Sequence, residues 1–193
     1  IQSGSISLKD DYLNIIIGSG SSADNNQPYT SDNVVIGRNI NPTSNTTTKI
    51  ENVLVGNDIG FPRGTDNTFI GHGIRRTGGD FITIGNTIIG NGAGKSIGGG
   101  NYNVIIGLNA ATNGTSLTNG DNNVFIGALA STSANANQQY SIAIGYSADS
   151  RGDNTTYIGT PGQTTHTYLE GLITGSSLEI GGNAYVSESL AIS

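Results

Sequence analysis

Asn103-Val-Ile-Ile-Gly107 and Asn123-Val-Phe-Ile-Gly127 are two copies of one five-residue unit: a polar or small residue, three mostly apolar ones, then Gly. Earlier copies are Asn14-Ile-Ile-Ile-Gly18, Asn33-Val-Val-Ile-Gly37, Asn52-Val-Leu-Val-Gly56 and Asn67-Thr-Phe-Ile-Gly71. Asp80-Phe-Ile-Thr-Ile-Gly85 reads as the fifth, with one extra residue leading in and Phe81 in the Asn place. Ser141-Ile-Ala-Ile-Gly145 and Thr155-Thr-Tyr-Ile-Gly159 complete nine. The glycines lie 19, 19, 15, 14, 22, 20, 18 and 14 residues apart, so the shortest step, 14, reads as the basic turn and longer steps as insertions. Self-similarity at such a period is the mark of a solenoid.

Each unit has the length and β-branched content of a short strand, closed by Gly. The residue before Gly is Ile or Val in every copy, and the residue two earlier shares its face. The middle position faces the other way and is also mostly apolar: Ile16, Val35, Leu54, Phe69, Thr83, Ile105, Phe125, Ala143 and Tyr157. A strand with one wet face alternates apolar and polar residues, whereas these require cover on both sides. One side is the core of the chain's own coil. Other copies of the chain are the natural cover for the second, placed near a symmetry axis. The recurring Gly fits a tight corner or a close backbone approach. The Asn that opens six copies can stack as a ladder or adopt a left-handed turn conformation.

Composition agrees. The chain has 193 residues, of which 30 are Gly, and only 11% are charged. Gly and Asn are poor helix formers, so the expected fold is all-β: a parallel β-roll or β-helix solenoid. Eight Lys and Arg against fourteen Asp and Glu, a net charge of -6, leave no broad cationic surface for nucleic acid. No run of 18 apolar residues exists, so no membrane insertion is expected. The start at Ile1, without Met or a signal-peptide pattern, reads as a fragment or a processed product.

After Gly159 the grammar changes. Apolar pairs recur every six residues as Leu178/Ile180, Ala184/Val186 and Leu190/Ile192. A two-residue apolar face cannot form a core in one chain, but three chains wound together can. The chain therefore divides into a roll of about nine turns over residues 1–159 and an intertwined triple-stranded β-stalk over 160–193, with a homotrimer as the assembly.

The unit Ser141-Ile-Ala-Ile-Gly-Tyr-Ser-Ala148 resembles the repeat of YadA-like heads in trimeric autotransporter adhesins. The resemblance extends over about residues 14–159 and implies a trimeric left-handed β-roll packed at a three-fold axis. The middle position here is often Ile or Phe where that family has Ala. The segment Tyr157-Ile-Gly-Thr-Pro-Gly-Gln-Thr-Thr-His-Thr-Tyr-Leu-Glu-Gly-Leu-Ile173 resembles a linker of phage tail fibres and related viral fibre proteins. Together they imply a non-catalytic attachment fibre on the virion surface of a phage or other virus. The alternative is the head of a bacterial trimeric adhesin at the cell surface.

The residues offer little chemistry. Without Cys, and with His72 and His166 as the only imidazoles, no metal site and no cofactor is expected. Gly98-Gly-Gly100 lacks the Lys-Ser/Thr of a phosphate loop. The acids are spread thinly for a glycosidase, which needs two flanking the bond, although pairs can meet across turns. Steps of 14 to 22 residues disrupt the flat Thr ladder an ice-binding solenoid requires. Asn45, Asn113 and Asn154 fit the glycosylation triplet by chance in so Asn- and Thr-rich a chain. For a host glycan or protein receptor the candidates are the basic pair Arg75 and Arg76, which suits an anionic glycan, and Tyr29 and Tyr140, which suit stacking on sugar rings. Tyr29 and Tyr140 lie on two of the polar stretches, 21–30, 42–49, 112–121 and 131–140, read as loops protruding from the stack, and the Arg pair lies on a connection of its own.

Overall fold

The computed structural model describes residues 5–9, 14–21, 30–42, 49–61, 63–74, 82–95, 97–112, 120–133 and 137–162. Among them there is no helix, and parallel strands form a β-solenoid. The main sheet stacks nine parallel rungs in chain order: Asn14–Ser19, Val34–Arg38, Val53–Asn57, Thr68–His72, Thr87–Asn91, Val104–Ile106, Val124–Ile126, Ile142–Ile144 and Thr156–Ile158. At roughly 4.8 Å per rung the rod is about 40 Å long. The strand Ser5–Lys9 caps its first edge and runs antiparallel, from Ser5 opposite Gly18 to Lys9 opposite Asn14.

The fifth rung corrects the sequence reading. It is Thr87–Asn91, with Ile88 opposite both Phe69 and Ile105. Ile82–Ile84 pairs instead with Arg63–Thr65, in a second parallel sheet that continues to Lys49–Ile50 and Thr30–Ser31. The true fifth unit is Asn86-Thr-Ile-Ile-Gly90. The rung glycines then stand 19, 19, 15, 19, 17, 20, 18 and 14 residues apart, and 14 occurs only at the end.

The polar stretches are likewise more than loops. Thr30 and Lys49 are partners in the second sheet. Asn41–Pro42 pairs with Gly60–Phe61, and Ser131–Thr132 with Asp149–Ser150. What the sequence shows as insertions therefore also supplies walls of the coil.

Strand alternation sorts the side chains. Middle residues point inward, and Val35, Leu54, Phe69, Ile88, Ile105, Phe125 and Ala143 are all buried. They meet a second column, three residues after each Gly, formed by Ile40, Ile59, Ile74, Ala93, Ala110, Ala130 and Ala148. This second column changes from Ile to Ala along the rod. Ile97, from the connection that follows Ala93, is also buried in this core. Near the last rungs the filling becomes polar: Gln138 is wholly buried, accepts from Thr132 Oγ1, and donates from Nε2 to Ser150 Oγ (2.7 Å) and the Gly152 carbonyl (3.0 Å).

Buried amides hold the register. Asn33 donates its backbone N–H and its Nδ2 to Asn14 Oδ1, at 3.0 and 2.9 Å. Asn52, Asn67, Asn86, Asn103 and Asn123 repeat the pattern on the rung before. From Asn52 onward Nδ2 also reaches a carbonyl of the facing connection: Gly64, Thr83, Gly100, Gly120 and Gln138 in turn. So the Asn forms a ladder, and the left-handed conformation belongs to the residue before it, as at Asp32, Glu51, Asp66, Tyr102 and Asn122, and likewise at Tyr140 before Ser141 and Asn154 before Thr155.

The rung glycine does not always close the strand. In the first five rungs pairing runs through it, as at Gly37 opposite Gly56. A Cβ on Gly56, at φ +145°, would stand 1.8 Å from the Gly71 carbonyl oxygen. At Gly73, φ +64°, a Cβ would meet nothing within 4 Å. Gly73→Ala should therefore cost about 1 kcal/mol, and Gly56→Ala on the order of 4 kcal/mol or more, in denaturant melts. By the same measurement Asn103→Ala should cost about 3 kcal/mol, because it takes the partners of the buried Asn123 N–H, of Asn123 Nδ2 and of the Gly120 carbonyl, and one of the two bonds to Asn86 Oδ1.

Candidate functional site

Because the ladder fixes register, the outward side chains line up in three columns. The first contains Ile15, Val34, Val53, Thr68, Thr87, Val104, Val124, Ile142 and Thr156. The second, just before Gly, is Ile17, Ile36, Val55, Ile70, Ile89, Ile106, Ile126, Ile144 and Ile158. In a single chain this apolar face is open: Ile15, Ile17, Ile36 and Ile70 are each roughly two-fifths exposed, and Ile158 is half exposed. Monomeric proteins rarely leave so long an apolar strip uncovered.

The third column follows Gly and reads Ser19, Arg38, Asn57, His72, Asn91, Leu108, Ala128, Tyr146 and Thr160. Beside it runs a corner column in the left-handed conformation: Gly20, Asn39, Asp58, Gly73, Gly92, Asn109, Leu129 and Ser147. Corner amides donate to the previous rung, as from Asp58 N to the Arg38 carbonyl (3.0 Å) and Gly92 N to the His72 carbonyl (2.8 Å). These two columns are polar in the first four rungs. Toward the end they become more apolar, with Leu108 and Tyr146 exposed.

On the other edge of the sheet lie the left-handed residues that precede the ladder. Tyr140 is here, 59% exposed, with Asn122 and then Tyr102, 58% exposed, on the two rungs before it. Tyr102 lies over Gly85, whose Cβ would come within 2.7 Å of the ring. Sequence reasoning singled out Tyr140 and missed Tyr102, which occupies the same place in the repeat. Tyr29, Arg75 and Arg76 lie outside the described residues, as do residues 22–29, 43–48, 113–119 and 134–136 of the polar stretches and 163–193 of the expected stalk. His72 is exposed in the third column, and His166 is outside the described residues.

Acids do meet across rungs. Asp32, Glu51 and Asp66 share the left-handed column, and a hydrogen bond and charge repulsion from Asp66, with repulsion from Asp32 adding, hold the Glu51 carboxyl above its usual range. Among the described residues no three His, Asp or Glu side chains cluster in a way that would hold a metal ion.

Comparison with family models, curated proteins and solved structures finds no match to this chain.

The acid column has a signed consequence. Folding raises the Glu51 pKa above its unfolded value, so its stabilising contribution is complete below that value and is lost as pH rises through the folded one. Glu51→Gln should therefore melt higher than the parent at neutral pH, and the two curves should converge as the pH falls to about 4. Added salt should narrow the neutral-pH gap.

Proposed function

We propose that the chain is the rigid body of a homotrimeric, non-catalytic attachment fibre on a virion surface, projecting a receptor- or glycan-binding surface sideways. The observation that carries this is the uncovered apolar face from Ile15 to Ile158. Burying a large aliphatic side chain fully stabilises by about 1.5–3 kcal/mol, and two columns repeat along nine rungs. Two further copies, turned about an axis parallel to the rod, would cover this face on every chain alike and close the assembly. The resemblance of residues 157–173 to a tail-fibre linker points to a virus. The six-residue period of 178–192 provides for a stalk that the three chains share.

The head of a bacterial trimeric adhesin is the second reading. It is favoured by the Ser141 rung, where Ala143 and Ala148 are both wholly buried, as a small-residue repeat of that family would have them. An outer-membrane anchor downstream in the full gene product would decide for it. A virion-attachment domain upstream would decide for the fibre.

Receptor contact falls to Tyr140 and Tyr102 on the edge off the apolar face, and Tyr29, Arg75 and Arg76 stand beside them as candidates from the sequence alone. Light scattering should give three times the chain mass of 19.8 kDa. Ile70→Asp, at the middle of the face, should shift the protein toward single chains that retain β-sheet circular dichroism or lose it altogether. A parent that is a stable monomer at micromolar concentration would overturn the assembly, and with it the fibre.

A further inference from the structure

We propose that the polar groove formed by Ser19, Arg38, Asn39, Asn57, Asp58 and His72 binds a neutral oligosaccharide along the rod. The inference deepens the receptor-binding reading above and rests on it. The groove crosses the first four rungs, where the third column and the corner column run side by side, and has a volume of about 520 Å³. That lies in the range of small-ligand sites.

Three features point to a sugar. First, the lining is rich in paired donors and acceptors and carries no net charge. The Arg38 guanidinium is offset by the Asp58 carboxylate, and two amides, a hydroxyl and an imidazole make up the rest. A phosphate or sulfate would have to approach Asp58, and a cation would have to approach Arg38. Vicinal hydroxyls can use both. Second, the lining repeats: each rung presents one third-column residue, at intervals of about 4.8 Å. A ligand that itself repeats at a similar step, as an extended chain of hexopyranoses does, meets an equivalent position on each rung. A peptide strand would instead need alternating side-chain pockets, and the groove has no apolar ones.

Third, the site is rigid before any ligand arrives. Asn39 Nδ2 donates to Asp58 Oδ1 at 2.6 Å. Below the side chains, Asn39 N donates to the Ser19 carbonyl (3.1 Å) and Gly73 N to the Asn57 carbonyl (3.0 Å). Little ordering cost remains for binding. The corner glycines Gly20 and Gly73 leave both ends open, since a Cβ there would meet nothing closer than 4.0 Å.

The same two columns also lose part of this polarity further along, although Asn91, Asn109 and Ser147 remain polar. They carry Leu108, Leu129 and Tyr146 further along, where the groove has ended. A column serving only the subunit contact would be apolar throughout, and a merely solvated one would be polar throughout.

The test uses the whole chain over immobilised tetrasaccharides. Neutral ones contain glucose, galactose, mannose or N-acetylglucosamine, and sialylated and sulfated ones are printed alongside. Each variant is first confirmed to have the parent's molar mass. The expected result is retention on at least one neutral sugar, weakened about tenfold or more by both Arg38→Ala and Asn57→Ala. Asn91→Ala, one rung beyond the groove in the same column, should bind like the parent. Retention on no sugar, or on acidic sugars alone, would overturn the proposal. So would binding unchanged by Arg38→Ala and Asn57→Ala, which would move the site elsewhere while leaving the attachment fibre standing. A parent protein that is monomeric would instead count against the fibre itself.

Discussion

A buried primary amide has one acceptor oxygen and two donor hydrogens, and it must place all of them. In this solenoid the requirement is met six times over by the same arrangement. Each ladder Oδ1 takes two hydrogen bonds from the next rung, one from its backbone N–H and one from its Nδ2. The second Nδ2 hydrogen ties the ladder to the opposite wall from Asn52 onward. Shifting any rung by one residue would leave several of these groups buried and unpaired, each at a cost of about 1–3 kcal/mol. That penalty keeps eight strands in register although the connections between them vary in length. The ladder ends at Ser141, which still donates its N–H to Asn123 Oδ1 and sends Oγ to the Gly152 carbonyl.

Fixed register turns a short repeat into long surfaces. Because every rung repeats the same positions in the same place, one residue type becomes a column running along the rod. Inward columns fill the coil. Outward ones give an apolar strip, a polar-to-apolar rim beside it, and on the far edge a line of left-handed residues that includes Asp32, Glu51, Asp66, Tyr102 and Tyr140. The glycine column makes the stack possible at all, since its backbones pass too close for a Cβ between them. Function on such a rod can be divided by column and by height. Assembly would use the strip, and recognition would use the rim and the edges.

The fifth rung shows how a repeat can mislead. Ile84-Gly85 imitates the end of a unit, but Gly85 is the left-handed residue before the ladder, the place taken elsewhere by Asp32, Glu51 or Tyr102. The unit that pairs begins one residue later, at Asn86. A usable signal was present: Asn86-Thr-Ile-Ile-Gly90 keeps the opening Asn, which the Asp80–Gly85 copy lacks, and it evens the spacing. The groove was not legible. Ser19, Arg38, Asn57 and His72 are 19, 19 and 15 residues apart in the chain, they share only the place after the repeat's Gly, where residue types vary, and stacking brings them together. The same holds for Gln138, a polar loop residue in sequence and a fully buried hub in the fold.

Sequence alone determined the all-β class, the stacked repeat and the two opposed apolar faces of each rung, and the structure decided that the middle residue is the inward one. A period-two strand pattern and a recurring Gly are local signals that a reader can follow residue by residue. Tertiary structure decided between the two roles open to Asn. It also decided which strand is the fifth rung, that the first strand runs antiparallel, and that polar connections build a second sheet. Those outcomes depend on hydrogen-bond partners 15 to 20 residues away along the chain. A partner at that distance is chosen by which groups would otherwise be buried without one, and that cost appears only when the rungs are stacked.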